Sequence, residues 1–288
     1  MPELLEVDTY RRQAEAAVGR TIVAVDAPDA WFVKGATPAE VAAAVTGTTV
    51  VAVRRRGKLL VLDLVDAAGG PGEAAGSGHG GAVAGEASGG GPGEPDVRLG
   101  LRFGMTGRLL VDGAAAIERL QHASGRDEPA WDRFALRFAG GTELRLRDPR
   151  RLGGVMLDPD EGLLGVDALE ATPEDLRRAL GASAAPLKAR LLDQSRVAGI
   201  GNLLADEILW RAGLDPARPA GSLDGGEVEA LAEAVTGALV DLGGRGGSHT
   251  GDLRRAVALD GRCPRDGASL RRRTIGGRTT WSCPAHQR

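Results

Sequence analysis

The first half of the chain consists mainly of short runs in which apolar and polar residues partly alternate. Two of them, "TTVVAVRRRGKLLVLDLV" and "VRLGLRFGMTGRLLV", are rich in β-branched and aliphatic residues, and each predicts a strand. "RFALRFAG" and "TELRLRD" predict a further pair of strands, joined by the hairpin signal Gly140-Gly141. The opening "MPELLEVD" predicts a short helix, with proline at its first position and Glu3 and Glu6 on one face of its first turn.

Beyond about residue 170 the apolar residues recur at helical spacing. "PEDLRRAL", "APLKARLLDQ", "NLLADEILWRAG" and "GEVEALAEAVTGALVDL" each predict a helix. The last one has an apolar stripe that we expect in the core, formed by Val228, Leu231, Val235 and Leu239. The pattern therefore predicts an α+β chain, with a β-rich domain over residues 1–160, a helical domain over 161–252 and a tail over 253–288.

The segment 67–96 interrupts the β-rich half with a different composition. It holds twelve glycines in thirty residues and few side chains that could fill a core, which predicts a disordered insertion between two strands. Because closing a long flexible loop costs little more for each doubling of its length, the fold can carry this insertion at a hairpin tip. We expect it to be dispensable for activity.

The charge is unevenly distributed along the chain. The net charge of −3 includes five acids and no base between Asp66 and Asp96, and the rest of the chain is net positive. Residues 253–288 carry nine arginines against two aspartates, a balance that suits nucleic acid but also an ordinary solvated surface. The start lacks a basic, apolar signal segment and no apolar run approaches 18 residues, so we expect a cytoplasmic protein without a membrane partner.

The run "DQSRVAGIGNLLADEILWRAGLDP" is the most informative. Gly199 and Gly201 lead to Asn202, a predicted N-cap, and Gly213 is expected to end the helix before Pro216. Glycines before a helix N-terminus expose backbone N–H groups, and the helix dipole there favours an anion such as phosphate. An ordinary helix-turn-helix packing unit would show the same spacing.

Taken together, the motifs "MPELLEV", "RRRGKLLVL", "LRFGMTGRLLV" and "RDPRRLGG", the helical run and the finger-like tail resemble the formamidopyrimidine-DNA glycosylase and endonuclease VIII family. The resemblance spans nearly the whole chain. It implies an N-terminal β-sandwich domain with an N-terminal helix, a helix-two-turn-helix domain and a zinc-finger-like β-hairpin. It also implies a monomer that acts on double-stranded DNA containing damaged bases or abasic sites, in the cytoplasm and on the nucleoid.

The resemblance implies a bifunctional DNA glycosylase and AP lyase of base-excision repair. In this family the initiator methionine is removed and Pro2 supplies its secondary amine as nucleophile, while Glu3 is the catalytic acid and Glu6 a second acid of the motif. The ordinary pKa of an α-amino group is near 8 and that of a lysine side chain is near 10.4, so the terminal amine needs less activation. The alternative hypothesis is a lesion- or abasic-site-binding protein of the same fold without turnover.

Three residues match the family's phosphate contacts. Lys58, one of only three lysines in the chain, corresponds to the β-strand lysine at the lesion, where its compact ammonium suits a narrow approach to the sugar-phosphate. Asn202 and Arg278 would complete a phosphate clamp with it. The alternative interpretation of Lys58 is an exposed charge on a strand.

Three further residues match the side chains that enter the duplex when a base is extruded. Met105 would fill the void and Arg150 would pair with the orphaned opposite base. Leu152 occupies the third insert position, which is often aromatic in the family. Both oxidised purines and oxidised pyrimidines remain open as substrates, since the short stretch before the finger favours the second and "MPEL" and "FGMTGRL" favour the first.

The tail arranges four metal-ligating residue types as C-x2-D-x16-C-x2-H, namely Cys263, Asp266, Cys283 and His286. The family commonly has four cysteines at this spacing. Zn²⁺ accepts sulfur, nitrogen and carboxylate oxygen, so this set is chemically suited to a structural zinc. A hairpin held by strand pairing without metal is the other interpretation.

Overall fold

A computed structural model gives the fold and describes residues 2–67, 94–117, 120, 126 and 128–288. Among these residues, the helices lack the combination of length and hydrophobicity that spanning a lipid bilayer requires. Helices and strands follow one another in the order α1 (Leu4–Ala14), β1 (Ile22–Asp26), β2 (Val33–Lys34), α2 (Pro38–Val45), β3 (Thr48–Arg56), β4 (Leu59–Asp66), β5 (Val97–Arg102), β6 (Arg108–Val111), β7 (Asp132–Phe138), β8 (Glu143–Arg147), β9 (Gly154–Leu157), β10 (Val166–Asp167), α3 (Pro173–Leu180), α4 (Leu187–Leu192), β11 (Val197–Ala198), α5 (Asn202–Ala212), α6 (Gly225–Gly244), α7 (Asp252–Leu259), β12 (Arg271–Ile275) and β13 (Arg278–Ser282).

The N-terminal half is built from two sheets around one core. A five-stranded sheet has the order β2-β9-β5-β4-β3, and a four-stranded sheet has the order β1-β7-β8-β6. Except for the parallel pair β2 and β9, neighbouring strands in these two sheets run antiparallel. Aliphatic and aromatic side chains of both sheets share one buried cluster, into which α1 inserts Val7 and Tyr10. The predicted α+β class and β-sandwich with an N-terminal helix are confirmed.

Two runs predicted as single strands each form two strands. The first turns at Gly57 between β3 and β4, and the second turns at residues 103–107 between β5 and β6. Strands β4 and β5 pair antiparallel, with Leu64 opposite Val97. The glycine-rich segment 67–96, predicted as an insertion between two strands, therefore connects the two strands of one hairpin. Its residues 68–93 lie outside the described part of the chain. The turn at Gly140 and Gly141, both with positive φ, links β7 to β8 as predicted.

The second half is helical and has its own core. The four predicted helices correspond to α3, α4, α5 and α6, and the stripe of α6 is buried among them as predicted. Helix α7 was not predicted. The first turn of α1 adds Leu4 and Leu5 to this second core. Because α1 takes part in both cores, the boundaries at residues 160 and 252 stay a prediction.

The chain ends in an antiparallel hairpin of β12 and β13. Gly276 and Gly277, both with positive φ, form its turn. A Cβ atom on Gly276 would lie 2.9 Å from Cβ of Ala189 in α4, so glycine allows the tip to approach the helical core. The finger-like hairpin therefore presents the start of β13 beside the helical half.

Candidate active site

The start of the chain leads directly into a cleft. Helix α1 begins at Leu4 and has Glu3 as its N-cap, so Pro2 lies just before the helix. The prediction that the proline is the first helical residue was therefore wrong. The cleft measures about 240 Å³ and lies where the β-rich half meets the helical half. It is lined by Pro2, Lys58, Leu59, Arg102, Phe103, Gly104, Leu152, Leu164 and Gln194. The structure thus brings the predicted nucleophile, phosphate-binding lysine and third insert residue to one opening.

The carboxylate of Glu3 occupies the N-terminus of α5. It is fully buried, and its Oε1 and Oε2 accept hydrogen bonds from the N–H groups of Leu203 and Leu204 at 2.9 and 3.0 Å. The anion predicted at this helix end is therefore a carboxylate of the chain itself. The N-cap of α5 is Gly201, and the prediction of Asn202 in that role was wrong by one residue.

Gly201 is required for this approach. A Cβ atom at that position would lie 2.1 Å from Cδ of Glu3 and 2.4 Å from its Oε1. Its φ of −111° is open to any residue, so the requirement is purely one of space. The glycine before α5 makes room for the acid.

Burial is the main influence on the acidity of Glu3. Burial raises the pKa of its carboxyl group, the charge of Glu6 raises it further, and Lys58 and the two α5 N–H groups oppose the shift. The pKa lies above its ordinary value as a result. A carboxyl group of this kind holds its proton at higher pH than an exposed glutamate, as a general acid requires.

Glu6 links the start of α1 to the loop after α6. Its Oε2 accepts a hydrogen bond from the N–H of Glu3 at 2.8 Å, and its Oε1 accepts two from the N–H and Oγ of Ser248, at 2.7 and 2.8 Å. Gly247, with φ of 125°, gives the carboxylate room, since a Cβ there would lie 2.5 Å from Oε1. Sequence reasoning missed Ser248, whose only signal is a hydroxyl within a glycine-rich run.

Lys58 stands at the turn between β3 and β4. Its Nζ donates to the carbonyl of Ile200 at 2.8 Å, just before α5. Burial lowers the pKa of Lys58 below its ordinary value. The charges of Glu3 and Glu6 oppose this shift, and the charge of Arg278 adds to it. Asp167 holds this turn, because its carboxylate accepts the N–H of Gly57 at 2.7 Å.

Asn202 and Arg278 lie at the start of α5 and of β13 respectively. The Oδ1 atom of Asn202 is buried and has no hydrogen-bond partner among the described residues. Asn202 and Thr279 line a second cleft of about 330 Å³. Arg278 is exposed, and its charge acts on both Lys58 and Lys188. Arg278 therefore lies near enough to Lys58 to affect its charge, whereas Asn202 lines the second cleft and not the one that Lys58 lines.

Lys188 fixes the finger hairpin to the helical core. Its fully buried Nζ pairs with Asp206 of α5 at 2.7 Å and donates to the carbonyl of Thr279 at 3.0 Å. Burial raises the pKa of Asp206 to about 6, although Lys188 opposes that shift. This ion pair sets where β13, and with it Arg278, sits.

The three insert residues project from two neighbouring loops. Met105, half-buried, lies in the turn between β5 and β6, and exposed Arg150 and Leu152 lie in the loop before β9. Half of the Leu152 side chain is exposed, which is unusual for leucine. Gly104 permits the loops to touch, because a Cβ there would lie 2.4 Å from the carbonyl carbon of Leu152.

The four metal-ligating candidates of the tail come together. One ligand atom from each of Cys263, Asp266, Cys283 and His286 lies within 4.8 Å of the others. Nδ1 of His286 lies 2.7 Å from Oδ2 of Asp266, and the sulfur of Cys283 lies 3.2 Å from the same oxygen.

The surroundings of the cluster match a metal site. Nε2–H of His286 donates to the carbonyl of Trp210 at 3.3 Å, which leaves Nδ1 as the free lone pair facing the carboxylate. Two lone-pair atoms this close need a cation between them, either a proton or a metal ion. The indole N–H of Trp210 donates to Cys263 Sγ at 3.3 Å. The donor set and its outer hydrogen bonds fit a structural Zn²⁺.

Comparison with known proteins decides the family. Residues 1–155 match the formamidopyrimidine-DNA glycosylase N-terminal domain, and residues 164–248 match the formamidopyrimidine-DNA glycosylase H2TH domain. The chain belongs to the formamidopyrimidine-DNA glycosylase family. Family membership supports a DNA glycosylase of base-excision repair.

Curated relatives and solved structures agree with this assignment. The chain is 34% identical to the formamidopyrimidine-DNA glycosylase of Carboxydothermus hydrogenoformans, with both chains covered completely. It is 34% identical to that of Nocardia farcinica, covering 100% of this chain and 98% of the relative. A Lactococcus lactis Fpg structure with a Fapy-dG-containing DNA has a TM-score of 0.75 at 24% identity, covering 99% of this chain and 100% of that one. That structure shares the fold.

Proposed function

We propose that this protein is a bifunctional DNA glycosylase and AP lyase that removes oxidised bases from duplex DNA. The observation that carries the proposal is the joint placement of Pro2 and Lys58 in one cleft, with buried Glu3 between Pro2 and the N-terminus of α5. The related formamidopyrimidine-DNA glycosylases support the substrate class.

Pro2 would act as the nucleophile once the residue before it has been removed. Its amine attacks C1′ of the damaged nucleotide, the bond from C1′ to the base breaks, and the base leaves with a proton. The proline nitrogen then loses its proton, and the C1′–O4′ bond of the sugar ring breaks as O4′ takes up a proton. The product is a ring-opened iminium ion between C1′ and the proline nitrogen. This cation withdraws electrons from C2′, so that a C2′ proton is lost and the C3′–O bond breaks, which cleaves the strand.

Glu3 would supply the proton for these steps. Its raised pKa keeps it protonated at higher pH than an exposed glutamate, which suits protonation of the sugar ring oxygen or the leaving base. The hydrogen bonds from Leu203 and Leu204 hold the carboxyl group in place and stabilise the carboxylate that remains. Glu6 orients this region through the N–H of Glu3.

Lys58, Asn202 and Arg278 would grip the phosphates beside the lesion. The cationic groups of Lys58 and Arg278 lie close enough to influence each other, and bringing an anionic phosphate between them relieves that repulsion. Asn202 would contact phosphate through its Nδ2–H donors, because its Oδ1, which is buried and has no partner among the described residues, accepts hydrogen bonds as the phosphate oxygens do.

Met105, Arg150 and Leu152 would enter the duplex where the base has left. Exposed Leu152 supplies an apolar wedge at the rim of the cleft that contains Pro2. Cys263, Asp266, Cys283 and His286 would hold a structural Zn²⁺ that fixes the base of the hairpin carrying Arg278. The zinc contributes stability, and the chemistry belongs to the amine and the acid.

Borohydride trapping tests the proposal. Borohydride reduces an iminium ion to a stable amine, so the mature protein and an abasic-site duplex are expected to give a covalent complex on a denaturing gel. A Pro2→Gly variant is expected to give much less. The matched control carries a short N-terminal extension that blocks the proline nitrogen, assayed before and after proteolytic removal to a free Pro2.

The outcomes separate catalysis from binding. An adduct that appears only when Pro2 is free supports the lyase. If the native protein binds the abasic duplex but forms no adduct in any state, it is a lesion-binding protein without turnover. Duplexes with single oxidised purines or pyrimidines, assayed for base release, then identify the substrate.

A further inference from the structure

One buried side chain bonds to both loops that carry the insert residues. Asp148, the aspartate of "RDPRRLGG", is fully buried at the end of β8. Its Oδ1 accepts a hydrogen bond from Oγ1 of Thr106, in the Met105 loop, at 2.5 Å. The same oxygen accepts from the N–H of Arg150 at 3.2 Å.

The other oxygen of Asp148 shapes the second loop from within. Its Oδ2 accepts the N–H groups of Leu152 and Gly153, each at 2.8 Å. Four donors thus satisfy a carboxylate that would be costly to bury without partners. All four donors come from the two loops. The free-energy cost of burying the Asp148 carboxylate is therefore offset only when the two loops keep this relative position.

The second loop needs this support because its backbone is strained. Arg151 has φ of 57°, a left-handed conformation that is unfavourable for an arginine. Its guanidinium forms a bidentate pair with Asp29, with both distances 2.6 Å. Arg150 and Leu152 therefore flank an anchored residue.

We propose that Asp148 and Thr106 are positioning residues that lock the two loops together, so that Met105, Arg150 and Leu152 enter the duplex as one unit. The inference rests on the proposed function, because it assigns a role within the same DNA site. The Thr106 hydroxyl is the one side-chain bond from the Met105 loop to Asp148 among the described residues. Asp148 and Thr106 act through the insert residues and do not touch the reacting atoms.

Thr106→Val and Thr106→Ser form the decisive pair of variants. Valine keeps the shape of threonine but removes the hydroxyl, whereas serine keeps the hydroxyl. Two measurements are made on each folded variant. The first is the fluorescence of 2-aminopurine beside an abasic analogue in a duplex, which rises when neighbouring bases unstack as the insert residues enter. The second is the single-turnover rate on a lesion duplex and on a single strand with an abasic site, which has no void to fill.

Thr106→Val is expected to lose most of the 2-aminopurine signal and to excise the duplex lesion about tenfold more slowly. Its cleavage of the single strand is expected to be unchanged, and Thr106→Ser should restore the duplex rate and signal. Asp148→Ala, which removes both acceptor oxygens, is expected to follow Thr106→Val.

Native fluorescence and native duplex rates in Thr106→Val would overturn the inference. So would an equal loss on duplex and single strand, because that indicates a general structural defect. The fluorescence needs no chemistry, so it tests the positioning role even if the native protein cleaves nothing. Failure of the native protein to cleave either a lesion duplex or an abasic-site duplex would instead count against the proposed function.

Discussion

Replacing Gly201 with alanine perturbs the proposed acid without changing any reactive group. The new Cβ would lie 2.1 Å from Cδ and 2.5 Å from Cγ of Glu3, closer than any real contact. Glu3 is fully buried and bound to two N–H groups, so any shift of its carboxyl group would break or bend those hydrogen bonds. We expect the carboxyl group to be displaced from the N-terminus of α5.

The magnitude follows from what the displacement breaks. Two hydrogen bonds to a carboxylate are lost or bent, each worth about 1.5–3 kcal/mol, and the usual gain from Gly→Ala of about 0.4–1 kcal/mol offsets part of this. We expect Gly201→Ala to lower the free energy of unfolding by about 2–5 kcal/mol. Removing a positioned general acid costs about 100-fold or more, so excision should slow by at least that factor.

Urea unfolding and single-turnover base release measure the two effects. Gly237→Ala in α6 is the matched control, since a Cβ there meets nothing within 4 Å and should stabilise the helix slightly. In a Glu3→Ala background the clash partner is gone, so Gly201→Ala should cost little. The double-mutant cycle should therefore show a coupling of about 2 kcal/mol or more.

The reasoning would be refuted by either of two results. One is a Gly201→Ala protein with native stability and native excision. The other is an additive cycle, in which Gly201→Ala destabilises equally with and without the Glu3 carboxyl group, because the cost would then lie elsewhere in the backbone.

Three further predictions concern the phosphate contact, the metal and the insertion. Because burial lowers the pKa of Lys58, its ammonium loses its charge at a lower pH than an exposed lysine does. Affinity for an abasic duplex, measured by fluorescence anisotropy from pH 7 to 10, should therefore fall more in the native protein than in Lys58→Arg, whose guanidinium stays charged. Lys34→Arg is the control. Identical profiles would contradict this. Elemental analysis should find one zinc ion per chain, and the zinc content should be lower in Cys283→Ser but unchanged in Asp260→Ala. A native protein whose melting temperature is the same with and without zinc would count against the site. Replacing residues 68–93 by a short glycine-serine turn should leave excision unchanged, because the N–H of Asp66 donates to Asp96 at 2.9 Å and holds the two strand ends together. Lost cleavage in a folded variant would show that the insertion has a role.

Local patterns predicted the features that depend on near neighbours. Helical spacing gave α3 to α6, and Gly140-Gly141 gave the turn between β7 and β8. The spacing of the four tail residues predicted that they would meet, which they do. In each case the interaction that defines the element lies within a few residues or within one hairpin.

Features that depend on distant partners could not be predicted in this way. The turn at Gly57 interrupts a run that reads as one strand, because the helical half approaches it so closely that a Cβ atom on Gly57 would lie 2.7 Å from Cβ of Ala198. Asn202 is not the N-cap of α5, and its side chain does not cap the helix. The carboxylate of Glu3, about 200 residues away, accepts the N–H groups that a capping side chain would accept. Ser248 supports Glu6 across 242 residues, and nothing near Ser248 in the sequence indicates it.

Peptide mapping of the borohydride-trapped complex tests the central claim most directly. After nuclease and protease digestion, mass spectrometry should find the reduced sugar remnant on a peptide that begins with Pro2, attached through the proline nitrogen. A remnant on Lys58 or another lysine, or efficient trapping by protein that retains Met1, would contradict the account.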